Sequence, residues 1–304
     1  MIVFATNANT YEERLIVAPP TGSHFKATVI GVGTGSTGSE IRPTIEFSSA
    51  DPVIDVTLGT AASIDLNLDN FWIDVYPGSY DAGGVRCQGA PDDRGATHLT
   101  LTRSTVYGGG FGVRASNCDL VFERDAMWGT ELGIGLEDSD FTLRNLLVLN
   151  FGTPAWMSTF ATGGILATGT STRAILVNSS IFSHYTRAPI FGVVCVPGMT
   201  LLNNVVFGSD GGGAIDLTTC SPSYSSFSGA GSENHNQDLT TCGADSLALQ
   251  KALFVDSPNA VFHPKTGGSA PCTLVGLGTP TGAPSDTFDG QPRPASPAIG
   301  CYEP

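Results

Sequence analysis

The sequence predicts an all-β fold, a parallel β-helix of about seven or eight rungs that ends in an irregular C-terminal cap. The first observation is a phrase of apolar-x-apolar, a polar pair and x-apolar, which returns every 21 to 34 residues. The second is a Gly-apolar phrase between these repeats, and the third is the lack of helical periodicity over residues 27–230. Such self-similarity indicates a solenoid, because one rung cannot cover its own apolar face and must stack on its neighbours.

Each repeat is predicted to consist of short strands. The phrases alternate apolar and polar residues with period two and are rich in Val, Ile, Leu, Thr and Phe. Gly, Ser, Asn and Asp fill the gaps, which is typical of turns. Three strands per rung, each paired with its equivalent one rung later, make a parallel β-helix. The first phrase begins at Leu66, Leu99, Leu120, Phe141, Ile175 and Thr200, and the glycine phrase begins at Gly84, Gly112, Gly133, Gly164 and Gly192.

The spacing predicts which side chains stack inside the coil. A spacing of 21 places Leu99 beneath Leu120 and Leu120 beneath Phe141. Stacked strands lie about 4.8 Å apart, so equivalent side chains of successive rungs touch. The other predicted inward columns are Leu101, Phe122 and Leu143; Val106, Met127 and Val148; Val85, Val113, Ile134, Ile165 and Val193; and Cys87, Ala115, Leu136, Ala167 and Cys195.

The chain divides into three predicted parts. Residues 1–26 are an N-terminal lead-in with a truncated first rung, because the pattern of an early rung begins near Arg14 and the opening MIVFA lacks a signal-peptide core. We therefore expect the chain to start inside a longer precursor. Residues 27–230 form the β-helix, and residues 231–304 supply final rung material and a capping segment. Pro292, Pro294 and Pro297 remove backbone donors, as a cap over an exposed end requires.

Charge and hydropathy exclude some partners. The chain has 14 basic and 28 acidic residues, a net charge of −14, which argues against nucleic acid or an anionic membrane. No apolar run approaches the roughly 20 residues that span a bilayer. The composition fits a secreted or cell-surface protein.

The seven cysteines cannot all pair within one chain. Cys87 and Cys195 fall in inward columns and are expected to be small buried apolar groups. Cys220 and Cys242 bracket a polar loop, while Cys272 and Cys301 bracket the tail, so these two pairs are the candidate disulfides. Disulfides would place the protein in an oxidising compartment.

Several segments resemble a known family. The run THLTLTRSTVYGGGFGV from Thr97 is similar to the repeat of bacterial secreted right-handed β-helix proteins, which are related in fold to pectin lyases and polymorphic outer-membrane proteins. The segments YSSFSG from Tyr224, ALFVD from Ala252 and FDGQPRPASPAIGCYEP from Phe288 resemble the closing segments of such proteins.

The resemblance covers nearly the whole chain and implies a right-handed coil at the cell surface. The tail of such relatives often precedes an anchoring or sorting signal. This chain departs from the family pattern at Lys251, where Asp is usual, and at Cys301, where Ala is usual. The shared motifs are structural, so the family supplies no catalytic residue.

Outward aromatic residues form the first candidate site. Tyr107 and Trp128 follow the inward Val106 and Met127, so they are expected to stack on the outer wall with Leu149 next. The insertion from Gly152 brings Trp156 to the same corner. Exposed aromatic rings suit the apolar face of a sugar, although the insertion could instead fold back and bury them.

Stacked carboxylates form the second candidate site. The register places Asp119 beside Asp140, with Asp138 at the adjacent turn. Neighbouring carboxylates repel unless solvent or a cation screens them, and calcium prefers oxygen ligands. Calcium at Asp119, Asp138 and Asp140 is therefore a candidate ligand, and a solvated turn is the alternative.

Arginines form the third candidate site. Arg86 and Arg114 share an outward column, and Arg103 lies one rung from Arg124. An arginine beside carboxylates can clamp an acidic sugar or act as a base in β-elimination. Surface ion pairs with Asp119, Glu123 and Asp125 are the alternative.

The leading functional hypothesis is a non-catalytic extracellular β-helix whose wall binds polysaccharide or another cell-surface glycan. The ligand-binding candidates are Tyr107, Trp128, Trp156, Arg86 and Arg114. One rival is a polysaccharide lyase or glycoside hydrolase that uses Asp119, Asp138 and Asp140 as acid or metal ligands and Arg114 or Arg124 as base. A two-carboxylate hydrolase needs acidic pairs about 5 to 9.5 Å apart, and the stacked Asp119 and Asp140 are expected to meet the shorter limit. A purely structural spacer is the other rival. No cofactor other than calcium is indicated.

Overall fold

The structure is a computed structural model, and it describes residues 2–6, 10–11, 14–32, 44–47, 51–59, 61–75, 82–150, 163–183, 191–208, 214–230, 233–243, 246–256, 261–268 and 272–304. Within these residues the chain is mostly β, with three long parallel sheets stacked as a solenoid. Up to β23, every third strand returns to the same sheet, where it pairs in parallel with its equivalent from the preceding rung. The predicted all-β parallel fold is confirmed at this level.

Among the described residues, sheet A has nine strands, sheet B has ten and sheet C has seven. Sheet A contains β1 (Ile2–Thr6), β4 (His24–Val32), β7 (Ser63–Asp69), β10 (Thr97–Thr102), β13 (Asp119–Glu123), β16 (Asp140–Arg144), β19 (Ala174–Val177), β22 (Thr200–Leu202) and β24 (Ser221–Ser223). Sheet B contains β2 (Thr10–Tyr11), β5 (Thr44–Phe47), β8 (Trp72–Val75), β11 (Thr105–Tyr107), β14 (Ala126–Trp128), β17 (Leu147–Asn150), β20 (Ser180–Ser183), β23 (Val205–Phe207), β25 (Ser226–Phe227) and β26 (Gln237–Asp238). Sheet C contains β3 (Leu15–Val17), β6 (Ile54–Thr57), β9 (Gly83–Gln88), β12 (Phe111–Ser116), β15 (Leu132–Glu137), β18 (Gly163–Thr168) and β21 (Val193–Val194).

The predicted register of the rungs is confirmed. Leu99 pairs with Leu120, and Leu120 pairs with Phe141. The side chains of all three are fully buried. The columns through Val106 on sheet B and Val113 on sheet C also have their predicted partners. These inward columns form one core between the three sheets.

The glycine phrase has a steric cause. Sheet C passes so close to sheet B that its first glycines leave no room for a side chain. A Cβ on Gly133 would lie 2.4 Å from the carbonyl oxygen of Gly164 and 2.5 Å from the Val148 side chain. Gly112 is confined in the same way by Gly133 and Met127. The repeated glycine therefore marks the tight approach of two sheets.

The corner between sheets A and B repeats from rung to rung. One residue of each corner has a positive φ, which favours asparagine over most other residues. At most of these corners the next position carries a buried polar side chain that accepts a backbone N–H from the preceding rung: Ser179 N donates to Asn204 Oδ1 at 2.9 Å, and Asn204 N donates to Ser225 Oγ at 3.2 Å. These bonds satisfy backbone groups that the turn would otherwise bury unpaired. The positive-φ residues are Asn70, Arg103, Arg124, Asn145, Asn178, Asn203 and Tyr224.

Both terminal parts contribute to the solenoid. Within residues 1–26, β1 pairs with β4 and β3 pairs with β6. Within residues 231–304, β26 pairs with β25 as final rung material. Two 3-10 turns cover Arg94–Ala96 and Glu233–His235. The α-helix found in the described residues, α1 (Ser246–Leu253), has eight residues, and no helix in that part of the chain is long and apolar enough to cross a bilayer.

The C-terminal segment does not act only as an end cap. It contains the antiparallel hairpin of β27 (Phe254–Asp256) and β28 (Val261–Pro264), followed by the tail 272–304. This segment packs against the outer face of sheet B, where it forms a second apolar cluster with Leu149, Phe182 and Phe207. The tail thus lies along the side of the coil, where Leu274, Ile299 and Tyr302 cover apolar residues of sheet B.

Polar corner residues hold the tail in place. Asn145 donates to the carbonyl oxygen of Asp286 at 2.9 Å, and Asn203 donates to that of Thr279 at 2.7 Å. Arg293 is almost fully buried, donates to Asn145 Oδ1 at 2.8 Å and forms an ion pair of 2.6 Å with Glu303. The asparagines at the positive-φ corners therefore serve two purposes, since they turn the chain and bind the tail.

The predicted disulfide pairs are wrong. All seven cysteines lie in the described residues, and six of them form the disulfides Cys87–Cys118, Cys195–Cys220 and Cys242–Cys272. Cys87 and Cys195 are buried as predicted but bonded, because each faces a cysteine that lies 31 or 25 residues later in the coil. Cys301 is unpaired and buried, and burial raises the pKa of its thiol to about 12.

Candidate functional site on the outer face of sheet B

One outward column runs the length of sheet B. Register places Asp74 beside Tyr107, Tyr107 beside Trp128 and Trp128 beside Leu149. The column continues through Phe182 to Phe207. The predicted stacking of Tyr107, Trp128 and Leu149 is therefore confirmed.

The C-terminal segment covers the later half of this column. Leu149 and Phe182 are fully buried, and Phe207 is nearly so. Phe182 stacks on Phe207 at 5.0 Å between ring centroids and on Phe262 of the hairpin at 4.9 Å. Phe254 meets Phe182 edge to face at 5.5 Å. This half is hydrophobic core, so it is closed to ligands.

The earlier half of the column is open. The Tyr107 side chain is 43% exposed, and Trp128 is half-buried where it meets the covered half. Trp72 stands on the neighbouring outward position of β8, and its ring lies 5.9 Å from that of Tyr107 with 30° between the planes. We call Trp72, Tyr107 and Trp128 the open aromatic strip. Tyr107 is exposed to solvent, and the half-buried rings of Trp72 and Trp128 stand on the rungs before and after it.

A carboxylate stands at the end of the strip. Asp74 shares an outward column with Tyr107 and hydrogen-bonds the side chain of Trp72 two residues before it. Partial burial among these rings raises the pKa of the Asp74 carboxyl, and the Trp72 hydrogen bond only partly offsets this effect. Asp74 is thus a hydrogen-bonding group beside an apolar platform.

Trp72 and Asp74 were not among the predicted site residues. The signal was present, because Ile73 occupies the inward position that Val106 occupies one rung later. Extending the column by one rung would have placed Asp74 beneath Tyr107. Trp156, the remaining predicted aromatic residue, lies outside the described residues.

The predicted acidic residues lie on sheet A. Asp119 pairs in register with Asp140, as predicted. Asp140 accepts hydrogen bonds from the backbone and hydroxyl of Thr172 at 2.6 and 2.7 Å. Burial disfavours the charged carboxylate, but hydrogen bonds outweigh this effect and lower the pKa of Asp140 to about 2. Asp138 accepts from Thr170 at 2.9 Å, and this bond lowers the pKa of its carboxyl.

Asp119 also has close partners. Its two oxygens contact His98 Nδ1 at 3.3 Å and the Arg173 guanidinium. A calcium ion at Asp119, Asp138 and Asp140 would have to displace these donors. In the part of the chain that the structure describes, no group of three or more His, Cys, Asp or Glu side chains is arranged to hold a metal ion. The geometry adds no support to the calcium prediction.

The predicted arginines are dispersed. Arg86 and Arg114 share a column on sheet C, as predicted. Arg86 pairs with Asp55 at 2.5 Å, and Arg103 pairs with Asp69, a carboxylate that was not among the predicted partners. Arg124 contacts Asp286 of the tail at 3.3 Å.

The predicted acids and bases therefore stand on different walls. Asp119 and Asp140 face outward on sheet A, Arg114 lies on sheet C, and Arg124 lies at the corner between sheets A and B.

Comparison of this chain with protein-family models, with curated proteins and with solved structures gave no match.

Proposed function

We propose that this protein is an extracellular or cell-surface β-helix that binds polysaccharide along the open aromatic strip. The observation that carries the proposal is the row of Trp72, Tyr107 and Trp128 on successive rungs, at the point where the C-terminal cover over the later rungs of sheet B ends. Apolar ring faces stack on the C–H face of pyranose rings, and a flat wall accommodates an extended chain.

The proposed ligand is a neutral saccharide. Asp74 is the charged group placed beside Trp72 and Tyr107, and it accepts hydrogen bonds from sugar hydroxyls. The negative charge of a uronate would be repelled by this carboxylate and by the net charge of −14 of the protein. The arginines predicted to hold acidic sugars, Arg86 and Arg114, belong to sheet C and so point away from the strip.

The cellular setting is part of the same proposal. Three disulfides among the described cysteines support an oxidising compartment. The repeat and tail segments support a bacterial surface protein of the right-handed β-helix type with seven or eight rungs. Two alternatives are the other outcomes of the test. The first is a lyase or hydrolase that uses Asp119 and Asp140 together with Arg114 or Arg124. The second is a purely structural spacer.

Binding is tested with soluble neutral and uronate polysaccharides by affinity electrophoresis and titration calorimetry. Tyr107→Ala and Trp72→Ala should each weaken binding of the neutral polymer about 10-fold, a loss of about 1.4 kcal/mol per removed ring. Phe191→Ala removes an exposed aromatic ring outside the strip, 36% exposed, and should leave affinity unchanged.

Three results would contradict this assignment. If the wild type binds no glycan on an array, the spacer alternative is favoured. If it binds uronates with an affinity that falls in Arg114→Ala but not in Tyr107→Ala, the ligand wall is sheet C. Product release from a uronate polymer that disappears in Asp140→Asn would favour the lyase.

A further inference from the structure

Sheet A carries a chain of hydrogen bonds that the proposed binding function does not use. On its outer face, Thr100 Oγ1 lies 3.1 Å from His98 Nε2. The other ring nitrogen, His98 Nδ1, lies 3.3 Å from Asp119 Oδ2 on the adjacent strand. His98 and Thr100 are two residues apart on β10 and thus share a face, while His98 and Asp119 are register partners.

The carboxylate determines the direction of the hydrogen bonds. Asp119 is held ionised, since hydrogen bonds from His98 and charge from Arg173 outweigh the effect of burial and lower the pKa of its carboxyl. A neutral His98 must therefore carry its proton on Nδ1, facing Asp119, which leaves Nε2 as an acceptor. The Thr100 hydroxyl then donates its proton towards Nε2.

This order of groups is that of an activated nucleophile: a hydroxyl, an imidazole base and a carboxylate that orients the base. Thr100 and His98 are both partly exposed, so a substrate can reach them from the open face. Asn67 is the register partner of Thr100 on β7. Its side chain therefore shares the outer face with that of Thr100, and its amide has two N–H donors, one of which is directed at Asp65 at 3.3 Å.

We propose that Thr100, His98 and Asp119 form a second, hydrolytic site on sheet A that cleaves short-chain acyl esters, such as acetyl groups on a sugar hydroxyl. Thr100 Oγ attacks the ester carbonyl carbon as its proton passes to His98 Nε2. The bond between carbonyl carbon and alcohol oxygen breaks, and the leaving alcohol takes the proton from Nε2. Water then attacks the acyl-threonine with His98 again as base, which releases the carboxylic acid and restores Thr100.

The flat outer face explains the choice of substrate. A small ester projecting from a polymer can approach an open strand, whereas a peptide bond needs a cleft that holds the chain on both sides. Asp119 acts as a positioning residue through His98, and Arg173 in turn holds Asp119.

The test is hydrolysis of p-nitrophenyl acetate by the full-length protein, with a search for an acetyl group on Thr100 by mass spectrometry after acid quench. Thr100→Val and His98→Ala should each lower the rate at least about 10-fold, in keeping with acid–base catalysis by a positioned side chain. Asp119→Asn should lower the rate and also shift the pH profile. Thermal unfolding verifies that each variant is folded.

The pH profile separates a positioning role from a structural one. The hydrogen bond to Asp119 raises the pKa of His98, with Asp65 adding to the effect while burial and Arg173 oppose it. The neutral base is needed, so the rate should rise with pH around a midpoint above the ordinary value of about 6.5. Asp119→Asn removes the carboxylate that raises the pKa of His98, so the midpoint of the pH–rate profile should move to lower pH.

Two matched variants serve as controls. Thr102→Val removes the next exposed hydroxyl of β10, which donates to Asp69 at 2.9 Å. His24→Ala removes a histidine of the same sheet that contacts the Ser63 hydroxyl at 2.8 Å. Both variants should keep the wild-type rate. The proposal is overturned if Thr100→Val also keeps that rate, or if acetyl transfer is found on other residues but not on Thr100.

Discussion

The two halves of the outer face of sheet B differ in what covers them. Both halves belong to one column with one alternation pattern, yet Phe182 lies beneath the C-terminal hairpin while Tyr107 faces solvent. The covered half has the aromatic contacts of a protein core. The open half has the same kind of residues with their faces free. Residue type alone therefore does not decide whether a part of this face is hydrophobic core or is open to solvent and ligands. The extent of the C-terminal segment decides it.

The boundary between the halves lies at Trp128. It pairs with the exposed Tyr107 on one side and with the buried Leu149 on the other. The tail residue Asp286 contacts Arg124 near the same level of the coil. The coverage by the tail thus ends at the rung of Trp128, the last ring of the strip, so that Tyr107 and Trp72 lie on the rungs that follow the end of the cover.

The largest expected difference between the halves is in stability. Phe182→Ala should lower the free energy of unfolding by about 3 to 5 kcal/mol, since it removes a ring packed against three others. Tyr107→Ala should lower it by only about 1 kcal/mol, because that ring is 43% exposed and lies outside the covered cluster. Urea unfolding measures both. Equal losses would mean that both halves are core.

The next effect concerns the attachment of the tail. Arg293→Gln leaves Glu303 buried without its cationic partner and removes the bond to Asn145, so the free energy of unfolding should fall by about 3 kcal/mol. The tail should also become sensitive to limited proteolysis. Arg144→Gln, an exposed arginine of β16, is the control. An unchanged proteolysis pattern in Arg293→Gln would show that apolar packing alone holds the tail.

The inward columns could be predicted because their cause is local. Period-two alternation assigns the face of each residue, and a constant spacing of 21 assigns its neighbour, as with Leu99, Leu120 and Phe141. The glycine phrase was predictable for a similar reason, since it repeats wherever sheet C approaches sheet B.

The coverage of sheet B could not be predicted in this way. Asn145 and Asp286 are 141 positions apart, and no periodic pattern links the tail to the wall. The same alternation describes Phe182 and Tyr107, so the exposed part of the column appears only when the tail is placed. Candidate site residues chosen by outward direction alone therefore included Trp128 at the boundary and omitted Trp72.

The cysteine pairing was missed for a different reason. Cys220 and Cys242 end two identical runs, DLTTC at 216–220 and 238–242, and in each run the aspartate accepts from the threonine two residues later. The two runs nevertheless stand at different places in the coil, since the first ends where β24 of sheet A begins and the second begins at the end of β26 of sheet B. Each of these cysteines instead bonds to a cysteine in another segment, Cys195 or Cys272.

The Cys242–Cys272 bond provides the third test, because it joins the last rung to the start of the tail. Replacing both cysteines with serine opens a loop of 30 residues and should lower the free energy of unfolding by about 3 kcal/mol under oxidising conditions. Tyr107 exposure should stay the same. The wild type under reducing conditions is the comparison, and a double variant as stable as the oxidised wild type would contradict the pairing.

The smallest effect lies in the open half and depends on pH. Burial raises the pKa of Asp74, so the folded protein binds this proton more tightly than the unfolded chain does, and stability is lost as pH rises from about 3.9 through the raised pKa. Asp74→Asn lacks this loss. The melting temperature of Asp74→Asn relative to that of the wild type should therefore rise as the pH increases from about 3 to about 7. Asp92→Asn, at an exposed carboxylate, is the control. A difference that stays constant with pH would mean that Asp74 is fully hydrated, and the open strip would then lack the partly desolvated acceptor proposed for sugar hydroxyls.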